Sequence, residues 1–132
     1  MTTIISKAPI AARILLGLPM VVFGLNGFLQ FLPMPPMEGA AAAFMGGLAS
    51  APYFFPLLKV TEIVAGLMLL SGRFVPLALV LLAPILINIL AFHVFLAGGA
   101  GMSVVLVGLA GYLAYAYRDA YRGVTAMARA SV

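Results

Sequence analysis

The chain has no cysteine, a single histidine and only three acidic residues in 132. The missing cysteines exclude a structural disulfide, thiolate metal ligation and a Cys-x-x-Cys redox pair. Any redox chemistry must therefore come from a bound cofactor or substrate. One histidine, His93, cannot supply paired axial haem ligands, and with so few carboxylates no metal-ligand set is expected. Ser50, Ser71 and Ser103 fall in or beside turns with no His–Asp partner implied, and no glycine-rich strand-to-helix phosphate loop is present. Charge of either sign is scarce: charged residues make up 8% of the chain, against about a quarter in a soluble domain. That is too few to cover a water-facing surface.

What is abundant is apolar. Hydrophobic residues make up 65% of the chain, and the mean hydropathy is +1.23. These values point to lipid as the solvent for most of the surface. Four apolar segments stand out, at about 13–32, 54–71, 74–97 and 102–121, the strictly apolar part of the last ending near Tyr117. Each approaches or exceeds the ~20 residues that cross ~30 Å of hydrocarbon as a helix. Backbone groups in hydrocarbon must satisfy one another, so these segments are expected to be helical. The fold expected is all-α: one domain over 1–132, an antiparallel four-helix bundle in the membrane. Integral location in a bacterial cytoplasmic (inner) membrane follows from the same pattern.

The connections carry their own chemistry. Pro33-Met34-Pro35-Pro36 stops the first helix, because proline lacks the donor a helix needs. Pro56 and Pro76 stand near helix starts, where proline is tolerated. Ser71-Gly72-Arg73 and Gly98-Gly99-Ala100-Gly101 are short turns, and short turns favour antiparallel neighbours. Pro19 and Pro84 fall inside helices and predict kinks. The Ala-rich stretch Met37 to Ser50 reads as a short interfacial helix or as a packed loop with one helical turn. Gly24, Gly27, Gly66, Gly108 and Gly111 predict close helix packing.

The net charge is +4, but the basic residues sit singly at the ends of apolar runs. No basic patch with interleaved aromatics exists, so nucleic acid is not expected as a partner. Lys7, Arg13, Arg73, Arg118, Arg122 and Arg129 all fall on one side of a four-helix path, and the opposite loops carry Glu38 and no Lys or Arg. The positive-inside rule then places both termini in the cytoplasm. A cleavable signal peptide is the alternative for the first segment. Against it stand the length of the apolar run and the prolines before Ala40 to Ala43.

Polar side chains inside a membrane are costly and point to function. Helix one has Asn26 and Gln30, helix two Lys59, Thr61 and Glu62, and helix three Asn88 and His93. Counted at 1.5 Å per residue, all belong to the outer half of the membrane. One polar site opening outward accounts for this distribution. Lys59 and Glu62 are three apart and can pair on one face, and Asn26 and Gln30 are four apart. Asn88 and His93 diverge by about 140° on an ideal helix, which counts against their sharing a cavity. Each residue also has a structural reading. Lys59 can snorkel to headgroups, and Asn26, Gln30 and Asn88 can hold helices together.

The chain resembles the DoxX-like family of small four-helix membrane proteins. The residues carrying the resemblance are Arg13-Ile14-Leu15-Leu16-Gly17 with Gly24-x-x-Gly27, then Thr61-Glu62-Ile63-Val64-Ala65-Gly66-Leu67 with Leu69-Leu70-Ser71-Gly72-Arg73, then Pro84-x-x-x-Asn88 and Phe92-His93. The resemblance implies a link to membrane redox systems with quinone as acceptor, a functional acid at Glu62, and polar helix-three positions at Asn88 and His93. Three functions are open. The first is a redox-associated subunit binding a quinone or similar lipid-soluble molecule. In it Glu62 and His93 exchange protons, and Asn26, Gln30, Lys59 and Asn88 bind the ligand. The second is a non-catalytic accessory subunit of a larger membrane complex, with membrane redox proteins or further copies of the chain as partners. The third is a small proton-coupled transporter.

Overall fold

In the computed structural model, residues 2–34, 36–124 and 126 are described, with side chains from residue 7 onward. Among them every regular element is a helix. α1 spans Thr2–Leu29, α2 Gly39–Ala49, α3 Phe54–Ser71, α4 Val75–Phe92 and α5 Gly101–Ala116. A π-helical turn, His93–Ala97, extends α4, and a 3-10 turn, Arg118–Tyr121, follows α5.

Three helical stretches are long and apolar enough to cross a membrane: Lys7–Leu29, Phe54–Ser71 and Val75–Ala97. α5 is apolar but has 16 residues, about 24 Å of helix, short of ~30 Å of hydrocarbon. Large apolar side chains cover the outside of the helices, among them Leu15, Leu57, Ile87, Val105 and Phe95. Water would not tolerate this much apolar surface, and lipid does.

The first helix differs from the sequence expectation at both ends. It begins at Thr2 rather than near Arg13, carrying Pro9 within it, and it ends at Leu29 rather than Leu32. Its end is set by polar chemistry before the prolines are reached. Gln30 takes a left-handed backbone, φ 51°, and Asn26 Oδ1 accepts the Leu32 N–H at 2.7 Å. The connection Met37 to Ser50 resolves into a true helix, α2.

α1 packs along α3 and also touches α5, while α4 packs on α3 and α5. The α1–α3 seam is the tightest. A Cβ on Gly17 would stand 2.9 Å from the Gly66 carbonyl, and one on Gly24 would stand 3.1 Å from the Lys59 carbonyl. Early residues of α1 thus meet late residues of α3, and the two helices run antiparallel. α3 turns into α4 at Gly72, whose φ of 75° is the left-handed cap that glycine adopts without strain. Tyr121 Oη donates to the Pro76 carbonyl at 2.8 Å, bringing the end of α5 to the start of α4. Burial raises the Tyr121 phenol above its usual range, so it remains the protonated donor at neutral pH.

The core is a continuous apolar column, with Leu16 and Met20 of α1, Leu69 of α3, Leu82 and Leu86 of α4 and Leu113 of α5 fully buried. The polar residues gather away from it, toward the end where α1 finishes and α3 starts.

Candidate functional site

α2 packs against α3 and against the π-helical turn that extends α4. Between them is a cavity of about 460 Å³. Its walls are mostly apolar, with Met34 and Met37 from the loop, Phe44, Met45 and Leu48 from α2, and Leu58, Ile85 and Ile89 from α3 and α4. Five polar residues line it: Lys59, Thr61, Glu62, Asn88 and His93. An apolar chamber with a few convergent polar groups is the usual form of a small-molecule site.

Lys59 and Glu62 form its polar floor. Lys59 Nζ donates to Glu62 Oε2 at 3.3 Å. The carboxyl side chain is 4% exposed and the lysine 22%. The lysine stem reaches this position across α1, because Gly27 has no side chain. A Cβ there would stand 2.5 Å from Lys59 Cγ. Lys59 thus turns inward to the acid instead of extending outward along the helix. Glu62 Oε1 has no hydrogen-bond partner among the described residues, which leaves one carboxyl oxygen for a ligand.

His93 and Asn88 both line the cavity despite their angular separation. The chamber is broad enough to reach around that flank of α4. His93 Nδ1 lies 2.9 Å from the Ile89 carbonyl. A carbonyl only accepts, so Nδ1 carries the proton and Nε2 is the nitrogen available to a ligand. The ring is held edge-on to Phe92, with centroids 5.4 Å apart. Phe92 in turn meets Phe44 of α2 at 5.7 Å. The π-helical turn starts at this point, its Gly98 N–H bonding the His93 carbonyl at 2.7 Å. Such turns are frequent at functional sites.

Asn26 and Gln30 do not line the cavity. Asn26 is buried, with its carbonyl oxygen on Leu32 N–H and its amide toward Met34 Sδ at 4.0 Å. It builds the loop that carries Met34 into the wall. Gln30 is exposed at the helix end. Thr61 spends its hydroxyl on the Leu57 carbonyl at 2.8 Å. The α2 contribution was not read from the sequence, although Phe44 and Leu48 at i, i+4 with Met45 beside them are the signal that marks its inward face. No group of three or more metal-ligating side chains occurs among the described residues. No protein-family model matches the chain, and no curated protein or solved structure is detectably similar to it.

Proposed function

We propose that this protein is a DoxX-like integral membrane protein that binds a small lipid-soluble molecule in the α2–α3–α4 cavity. In this reading α1, α3, α4 and α5 all cross a bacterial cytoplasmic membrane, with both termini inside and α2 lying at the outer interface. The observation that carries it is the pairing of a buried Glu62 with a half-buried Lys59 in the wall of a mostly apolar chamber. Polar groups at this depth are costly, so their retention needs a use. A quinone suits the chamber: its carbonyl oxygens can accept from the Lys59 ammonium and the Asn88 amide, and a hydroxyl of its reduced form can donate to His93 Nε2. Glu62 and His93 would then exchange protons with the bound ring. The role is that of a redox-associated subunit, in keeping with a chain that has no cysteine of its own.

The test is mass spectrometry of the intact protein purified in mild detergent, beside Glu62→Gln. A quinone or another lipid-soluble redox molecule in the parent, depleted in the variant, is the expected result. An empty protein, or the same lipids in both, would leave the chamber without a ligand and sink the reading.

A second reading is favoured by Asn88, which lies exposed at the rim of the chamber. A polar side chain facing lipid is a natural contact for another membrane protein. The protein would then be an accessory subunit, and Glu62→Gln would leave the partner's activity intact while deletion of the chain would lower the partner's amount. Proton-coupled transport has less support, since a second opening would have to pass through the column of Leu16, Met20, Leu69, Leu82, Leu86 and Leu113.

A further inference from the structure

At the opposite end of the molecule from the cavity, charge does not balance. The Arg13 guanidinium lies against Gly72, packed so closely that a Cβ at Gly72 would collide with it. Its Nε is enclosed and has no acceptor. Arg73 follows Gly72 directly, with an exposed side chain that makes no hydrogen bond or ion pair among the described residues.

The chain has three acidic residues with which to answer them. Glu62 is paired with Lys59 at the other end of α3, roughly 15 Å along the helix axis. Glu38 adjoins α2, at that same far end. Asp119 is taken by Arg122 at 3.0 Å. Arg118 is already committed, donating to the Tyr115 carbonyl at 2.9 Å and lying over the Tyr115 ring. Arg13, packed on Gly72, and Arg73, the next residue in the chain, therefore both stand at the α3–α4 turn with no side-chain carboxylate to meet them.

We infer that Arg13 and Arg73 together bind a phosphate group at the α3–α4 turn, supplied by an anionic phospholipid headgroup. Guanidinium presents paired N–H donors that match phosphate oxygens two at a time. The start of α4 adds a field of the same sign. Its cap residue Phe74 offers no side-chain acceptor, and the first N–H groups of a helix favour an anion. The exposed apolar residues Phe74 and Leu77 beside the turn give acyl chains a surface to lie on. The site is remote from the cavity and stands whether or not the cavity holds a ligand.

The test is native mass spectrometry of the full chain in detergent, titrated with phosphatidylglycerol or with phosphatidylcholine of the same acyl chains. The parent is expected to prefer the anionic lipid by on the order of tenfold, as two arginines near a headgroup allow. Arg73→Gln and Arg13→Gln should each lower the preference, and the double variant should abolish it. Arg118→Gln removes the same charge from a committed side chain and should leave the preference unchanged. Arg73 is exposed, so its variant reports even if Arg13→Gln fails to fold. Equal binding of the two lipids by the parent, or equal weakening by Arg73→Gln and Arg118→Gln, would overturn the proposal. Millimolar inorganic phosphate distinguishes the source. If it raises the thermal stability of the lipid-free parent but not of the double variant, the site takes free phosphate. If it does neither while phosphatidylglycerol still binds, the headgroup is the ligand.

Discussion

Lys59 carries two separate functions in its one side chain. Its stem fills the space left by Gly27, and its ammonium neutralises Glu62. Removing the ammonium leaves an acid 4% exposed with no cation in reach, and breaking a buried pair in this way costs about 3 kcal/mol. Lys59→Met should therefore destabilise the protein by about that amount in a detergent-unfolding titration. Lys59→Met combined with Glu62→Gln should cost clearly less than the two single changes added together. Additive costs would mean that the 3.3 Å contact contributes no coupling. The pair was legible in the sequence from its i, i+3 spacing. The inward turn of the lysine was not, because it depends on Gly27, 32 positions earlier. Asn26 shows the opposite case. Its depth marked it as a site residue, but its hydrogen bond to Leu32 assigns it to the end of α1.

Among the elements, the α1–α3 seam and the outer face of α5 use glycine differently. A Cβ on Gly66 would meet Val21 Cγ2 at 2.7 Å and the Gly17 carbonyl at 2.9 Å. Backbone cannot yield as a side chain end can, so Gly66→Ala should cost ~1–3 kcal/mol through overpacking. Gly108 has no atom within 4 Å of such a Cβ. There Gly108→Ala should be neutral or stabilise by up to ~1 kcal/mol, since alanine is the better helix former. Thermal unfolding of the two variants in one detergent decides the matter, and a loss at both positions would mean that the α5 face is packed as well. Both glycines lie in apolar helices, so local sequence reads them alike. Only the neighbour across the seam separates them.

For the whole molecule, Arg13 beside Gly72 and Tyr121 on Pro76 bring the first half of α1, the α3–α4 turn and the turn after α5 to one end. The cavity, α2 and Glu38 occupy the other. Lys7, Arg13, Arg73, Arg118 and Arg122 belong to the elements at that end, which faces the cytoplasm in the proposed orientation, while Arg129 lies outside the described residues. The chain has no cysteine, so a single introduced thiol reports its own position. Ser50→Cys, exposed beside α2, should react with an impermeant thiol reagent added to whole cells. Ser71→Cys, exposed at the α3–α4 turn, should react only after the membrane is opened. The reverse pattern would invert the topology, and labelling of both from outside would contradict a spanning α3.

Composition and period determined the solvent, the helical class and the positions of the apolar helices to within a few residues. These follow from local physics: hydrocarbon leaves the backbone no partner but itself, and proline and glycine interrupt helices wherever they fall. The first helix was the exception: it starts at Thr2, well before the apolar run, and its stop at Leu29 rests on a polar contact that hydropathy does not register. The sequence also marked Lys59, Glu62, Asn88 and His93 as polar residues out of place. Tertiary structure alone decided that these four share a chamber, that Asn26 and Gln30 lie outside it, and that α2 forms its cover. Those relations join residues tens of positions apart, where the relevant quantity is distance in space and no periodicity along the chain encodes it.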